Sequence, residues 1–139
     1  MPALADVTVG EALPGKTVHL DRADLVRYAG ASGDFNPIHW DERTATGVGL
    51  PDVIAHGMLT MGAAMQIVVD WAGDPGRVTA CSTRFSGMVP VPHGDGVDVE
   101  VGGTVKSVDA DAGIAIVELT ATCAGDKVLS RALATVRLD

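Results

Sequence analysis

"HGMLTMGAAMQIVVDWAG", residues 56–73, decides how the rest of the chain must fold. Its apolar residues are Met58, Leu59, Met61, Ala63, Ala64, Met65, Ile67, Val68, Val69 and Trp71. At 3.6 residues per turn they cover almost the whole circumference of a helix. A helix that is apolar all round has to be surrounded. In a chain of 139 residues, the material available to surround it is the C-terminal half, from residue 74 onward.

That half reads as strands. Val97, Val99 and Val101 alternate with Asp98, Glu100 and Gly102; Val117, Leu119, Ala121 and Cys123 alternate with Glu118, Thr120 and Thr122. Ala132, Ala134, Val136 and Leu138 alternate with Leu133, Thr135 and Arg137. A period of two with one apolar face indicates antiparallel strands. Asp109–Gly113 and Ala124–Asp126 supply turns, and "RVTACSTRFSGMVPV" (77–91) reads as one more strand ending at Pro90 and Pro92. A curved antiparallel sheet wrapped around one central helix is the economical packing. The expected class is therefore α+β, a single hot-dog domain over residues 1–139. Such a sheet leaves an edge, so pairing with a second subunit is expected.

The bulk numbers agree with one well-packed globular unit: 47% hydrophobic and 20% charged residues. No apolar run is long enough for a bilayer, since Thr60, Gln66 and Asp70 interrupt Met58–Trp71. The first ten residues lack a basic region followed by an apolar block, so no signal peptide is expected. A net charge of −8 argues against nucleic acid and against anionic membrane surfaces as partners. Cys81 and Cys123 stand alone in apolar, strand-like segments. They read as buried reduced thiols, with a disulfide as the alternative, and no Cys/His cluster has zinc spacing. A cytoplasmic location is the expectation.

Upstream of the apolar helix, "LDRADLVRYAG" starts another. Asp21 is a good N-cap, and Leu20 and Leu25 stand at the staple positions N′ and N4. Gly30 and Gly33 are expected to end it. "SGDFNPIHW" (32–40) comes next, with Asp34 and His39 five positions apart. Pro37 forbids a helix interior and biases Asn36 towards an extended conformation. Asp41 can cap a short helix over "ERTA", which holds His39 between two helical ends.

An acid and an imidazole on a rigid loop suit proton transfer. Imidazole titrates near neutrality, and a carboxyl in a partly desolvated pocket can be raised until it donates. Asn36 could hold the loop or orient a water. The spacing equally fits an ordinary turn, in which Asp34 bonds backbone amides and His39 packs on Trp40. Gly57 falls at the start of the apolar helix, where free N–H groups and a partial positive charge can receive an enolate oxygen. It equally fits a tight helix start. A metal site from Asp34, His39, Asp41 and His56 lacks ligand spacing on any regular element.

"YAGASGDFNPIHWDERTA" resembles the signature of the MaoC-like (R)-specific enoyl-CoA hydratases and (3R)-hydroxyacyl-ACP dehydratases. Tyr28, Ser32, Gly33, Asp34, Asn36, Pro37, Ile38, His39 and Ala45 fall where that pattern has them. Ala31 departs from it mildly. "IAHGMLTMG" is similar to the start of the family's central helix. "WAGDPG" and the "VPVP" turn resemble the catalytic subunits of its mycobacterial dehydratases. The resemblance implies Asp34 and His39 as the acid/base pair and the Gly57 N–H as the thioester-oxygen site. It implies reversible dehydration of (3R)-hydroxyacyl thioesters in fatty-acid elongation, mycolic-acid elongation being one setting. No cofactor is implied, because the thioester already acidifies C2. Substrates would be acyl-ACP or acyl-CoA, and the assembly a homodimer or a heterodimer with a related hot-dog subunit.

Some relatives carry a serine where this chain has Met65, so that hydroxyl is absent here. His56 is expected to support the oxyanion turn rather than to catalyse, with His19 in a strand and His93 in a turn. Arg77, Arg84 and Lys106 are candidates to receive an acidic carrier. Gly62, Ala63 and Ala64 are candidates to leave room for an acyl tail. Thioester hydrolysis is the alternative enzymatic reading, and a non-catalytic acyl-binding or structural subunit the alternative outside catalysis.

Overall fold

In the computed structural model, which describes residues 1–138, the elements run in the order β1 (Ala12–Leu20), α1 (Arg22–Ser32), α2 (Glu42–Gly47), α3 (Gly57–Ala72), β2 (Val78–Phe85), β3 (Val97–Asp109), β4 (Ile114–Cys123), β5 (Asp126–Lys127) and β6 (Leu129–Arg137). All strand pairs are antiparallel, in the order β1-β3-β4-β6-β2, with the short β5 beside β4. The sheet carries α3 across one face, which is the hot-dog fold.

The alternation read from the sequence becomes the inner face. Val99, Val101, Val105, Ala115, Val117, Leu119, Ala121, Ala132, Ala134 and Val136 are buried in one cluster with Ala64, Ile67 and Val68 of α3. Each fully buried Val or Leu contributes about 1.5–3 kcal/mol, so this seam dominates the fold. Cys81 and Cys123 are both free thiols; Cys123 is buried and Cys81 half-buried.

Helix α3 departs from the expectation of complete enclosure. Only the stripe Thr60, Ala64, Ile67, Val68 and Ala72 is buried. Met61, Ala63, Met65, Val69 and Trp71 are partly covered and Met58 is exposed. One curved sheet covers one side of a helix, so the apolar circumference exceeds what this chain can bury.

Three local readings hold or change for identifiable reasons. Asp21 and Asp24 form a reciprocal capping box: the Asp21 carboxylate accepts the Asp24 N–H at 2.9 Å and the Asp24 carboxylate accepts the Asp21 N–H at 3.0 Å. Gly33 alone ends α1, at φ 75°, while Gly30 continues the helix. Strand β2 stops at Phe85 rather than at Pro90. Beyond it the chain pairs with residues 53–55: the Ala55 N–H donates to the Val89 carbonyl and the Val91 N–H to the Val53 carbonyl, both at 2.9 Å. This small ladder carries the site.

Candidate active site

His39 is built from the turn outward. Pro37 opens a 3-10 turn over Pro37–His39, and the Asn36 side chain caps it by accepting the Ile38 N–H at 3.2 Å. The Asp41 carboxylate then caps α2, accepting the Thr44 hydroxyl at 2.6 Å. Between these ends the His39 side chain is only 9% exposed. Its Nδ1 lies 2.6 Å from the Ile54 carbonyl. A carbonyl only accepts, so Nδ1 carries the proton and neutral His39 presents a bare Nε2.

That Nε2 is 3.9 Å from an Asp34 carboxylate oxygen. Asp34 stands just past the Gly33 helix end. Its backbone N–H donates to the Ser32 hydroxyl at 3.1 Å, and its carboxylate accepts the Asn36 N–H, also at 3.1 Å. The Asp34 side chain is 52% exposed, so the partly desolvated carboxyl expected from the sequence is not present in the single chain. The Trp40 indole bonds the Phe35 carbonyl at 3.0 Å, and His39 stacks on His56 with ring centres 3.8 Å apart.

His56 ties the parts together. It is buried, and its Nε2–H donates to the Asp34 carbonyl at 3.1 Å. Tyr28 packs on it at 4.7 Å. Burial holds its pKa below the ordinary imidazole value, although the bond to the Asp34 carbonyl pulls the other way. Its Nδ1 is buried without a partner, which suits a neutral ring.

Gly57 is the next residue and the first of α3. Its N–H belongs to the first turn, which has no intrahelical acceptor. A Cβ at this position would lie 2.9 Å from the Phe85 ring, so only glycine leaves the helix start clear. Two clefts meet here. One, of about 490 Å³, is lined by Tyr28, Ser32, Asp34, His56, Gly57, Met58 and Phe85. The other, of about 320 Å³, is lined by His39, Ile54, Ala55, Gly57, Phe85 and residues 86–88. The assembly can move a proton between an imidazole and a carboxylate beside a helix N-terminus.

Asp34, His39 and His56 offer ligand atoms within 4.8 Å of one another, the one such group among the described residues near this loop. Asp41 is not among them; it caps α2. Of the three cations expected to face a carrier, Arg77 is buried and Lys106 is paired with Glu118 at 2.9 Å. Arg84 remains exposed. Gly62 and Ala63 line a cleft against β1, whereas Ala64 is fully buried under the sheet.

Two contributors escaped the sequence reading. Ile54 acts through its carbonyl, which no side-chain pattern reveals. Arg22 ties α1 to the ladder behind His39, with Nε to the Val91 carbonyl and Nη2 to Asp52, each at 2.5 Å. Its partners are 30 and 69 positions away, beyond any local motif.

Comparison with known proteins extends this picture. A solved "MaoC-like dehydratase" is 48% identical and superposes with a TM-score of 0.96 over 99% of this chain and 42% of that one. A 3-hydroxyacyl-thioester dehydratase X of Mycobacterium tuberculosis is 36% identical over 89 residues, covering 64% of this chain and 31% of the relative. A UPF0336 protein of Streptomyces coelicolor is 32% identical over 124 residues, covering 84% of this chain and 81% of the relative. The chain thus spans about a third of the mycobacterial relative's length and under half of the solved one's. The family model for the "MaoC like domain" matches residues 6–122, from before β1 almost to the end of β4. With the loop, the central helix, β1 to β3 and nearly all of β4 inside that match, the chain belongs to the MaoC-like domain family.

Proposed function

We propose that this chain catalyses the reversible dehydration of (3R)-hydroxyacyl thioesters to trans-2-enoyl thioesters. The observation that carries the reading is the His39 tautomer. With Nδ1–H committed to the Ile54 carbonyl, Nε2 is the basic nitrogen that His39 keeps for the reaction, 3.9 Å from Asp34.

In the dehydration direction His39 Nε2 takes the C2 proton. The electrons of that C–H bond move into the thioester carbonyl, and the enolate oxygen rests on the Gly57 N–H. Protonated Asp34 then delivers its proton to the C3 hydroxyl, which leaves as water while the C2–C3 double bond forms. The reverse begins from imidazolium and carboxylate. Asp34 accepts a proton from the water attacking C3, and His39 returns one to C2. The pair therefore ends each turnover with its proton on the other partner, and hydration in the next cycle or exchange with solvent resets it. Asn36 holds the turn that spaces the two groups.

Acyl-CoA and acyl-ACP both supply the thioester, and fatty-acid elongation is the setting that consumes this chemistry. The names of the relatives, 3-hydroxyacyl-thioester dehydratase among them, support the reaction class. A second hot-dog unit, identical or related, would cover the half-buried flank of α3 and the β2 edge and would desolvate Asp34. The greater length of the relatives leaves room for such a unit. No helix among the described residues is long and apolar enough to cross a membrane, in keeping with a cytoplasmic enzyme.

The test is hydration of crotonyl-CoA by the purified chain, read as loss of the enoyl thioester absorbance, with native mass spectrometry of the same sample. Turnover by the wild type and its loss in Asp34→Asn and His39→Ala support the reading. A wild type that releases free CoA without hydrating the double bond overturns it in favour of thioester hydrolysis. Long-chain activity is expected to require addition of a related subunit.

A further inference from the structure

Arg84, Lys127 and Arg131 are exposed, and none of them has an ion pair among the described residues. The sheet register brings them together. Arg84 stands opposite Ser130, the neighbour of Arg131, and Lys127 stands opposite Thr122. Residues directly opposed share a face of the sheet. Thr122 lies between buried Ala121 and Cys123, and Ser130 follows buried Leu129, so this face is the outer one, away from α3. Two acids on nearby outward positions are already engaged: Glu118 with Lys106 at 2.9 Å, and Glu100 with the Thr17 hydroxyl at 2.7 Å. Asp126 stands opposite Cys123 and so belongs to the other face.

Arg131 is held there against its backbone preference. Ser82 pairs with Leu133 and Arg84 with Ser130, so Arg131 and Ala132 together oppose Thr83. The first residue of this bulge has φ 48°, a left-handed conformation that such bulges ordinarily give to glycine. Arginine adopts it only with strain. The patch also adjoins the site. Phe85, next to Arg84, lines both clefts. Ser86 and Gly87, which line the His39 cleft, donate their N–H groups to the Val128 carbonyl at 3.0 and 3.1 Å. Met88, on the same rim, is half-exposed.

We propose that Arg84, Lys127 and Arg131 form the docking face for an acidic acyl carrier protein, whose thioester arm reaches the clefts over the rim at residues 86–88. The proposal rests on the thioester chemistry assigned to Asp34 and His39. At a net charge of −8 the chain repels an acidic protein except where unpaired cations meet it. Cations spread over an exposed sheet face complement a protein surface and steer its approach. The nucleotide of CoA would call for a concave site, and these three side chains line neither cleft. The carrier is therefore the occupant that this face fits.

The experiment compares hydration of a crotonylated bacterial acyl carrier protein with hydration of crotonyl-CoA, at low and at high salt. The triple variant Arg84→Gln/Lys127→Gln/Arg131→Gly is set against wild type and against Arg137→Gln, an exposed cation at the far end of β6. Binding of the unacylated holo carrier protein to each is measured in parallel. The triple variant is expected to lose about 10-fold in kcat/KM on the carrier substrate, through KM, while crotonyl-CoA hydration stays at the wild-type rate. Salt should slow the wild type on the carrier substrate and leave the triple variant unaffected. Arg137→Gln should match wild type. Equal losses on both substrates, no loss on either, or the same loss in Arg137→Gln overturns the docking face. So does a wild type that hydrates crotonyl-CoA but neither turns over nor binds the carrier protein. If wild type hydrates neither substrate, the proposed reaction fails, and holo carrier binding and its loss in the triple variant decide the docking face alone. Glycine accepts φ 48°, so the triple variant is expected to fold. Should it not, Arg84→Gln/Lys127→Gln carries the test.

Discussion

Two His–Asp pairs lie among the described residues, and the closer pair is the less equipped for chemistry. His19 Nδ1 is 2.7 Å from Asp98, with both side chains more than half exposed, across the β1–β3 register. His39 Nε2 is 3.9 Å from Asp34, with the imidazole buried and the carboxylate half exposed. In the first pair the carboxylate accepts the hydrogen bond from the imidazole Nδ1–H directly. That bond, chiefly, raises the His19 pKa, and it leaves Asp98 engaged in water. In the second, a backbone carbonyl accepts the hydrogen bond from Nδ1–H, so both Nε2 and the carboxylate keep capacity for a third molecule. A stacked neutral ring and a helix start lie beside them. Proximity of acid and base is thus a poor guide; what each group has left to offer is a better one.

The largest effect that could break this comparison is on turnover. Asp34→Asn and His39→Ala are each expected to fold and to lose about 10²–10⁴-fold in enoyl thioester hydration, as general acid–base groups do. His19→Gln and Asp98→Asn should turn over at the wild-type rate. Equal losses from both pairs would erase the distinction.

Gly57→Val tests the helix start that the His19 pair lacks. The new side chain meets the Phe85 ring, a half-exposed group that can turn aside, so the fold should survive. Blocking one oxyanion donor costs about 10²–10³-fold in kcat. Unfolding of Gly57→Val, or full activity, would make this glycine purely structural.

Arg22→Met probes the frame behind His39. Loss of charge-assisted bonds to Asp52 and the Val91 carbonyl, at a partly buried position, is expected to lower stability by about 2 kcal/mol. Chemical denaturation measures this. Because the ladder at 53–55 supplies the Ile54 carbonyl, kcat should fall while KM changes little.

The pH dependence of stability separates the histidines by sign. His56 is held neutral when folded, so the unfolded chain binds the extra proton first. Stability should be full above about pH 6.5, the unfolded value, and decline as pH falls towards the depressed folded value. His56→Gln should flatten that decline. The raised His19 value works the other way: its contribution is present below about pH 6.5 and lost as pH rises through the folded value. His19 lies in solvent, so this is the smallest of the effects.

Much of this architecture was legible because it is local. The apolar period of α3, the alternation in β3, β4 and β6, the Asp21 and Asp41 caps and the Pro37 turn all arise from residues a few positions apart. Hydrogen bonding and side-chain direction within one element are set by near neighbours. The loop that brings Asp34 and His39 within reach is equally local, five positions long. The tertiary structure alone decided what those groups can do. The His39 proton is placed by a carbonyl 15 positions away, and His56 reaches back 22 positions to Asp34. Arg77, Arg84 and Lys106 look alike as letters, yet one is buried, one exposed and one paired with Glu118. Phe85 reads as an ordinary strand residue until the sheet sets it on Gly57. Which distant atoms satisfy or cover a group depends on which segments the core brings together, and that depends on packing across the whole chain rather than on any pattern within one stretch.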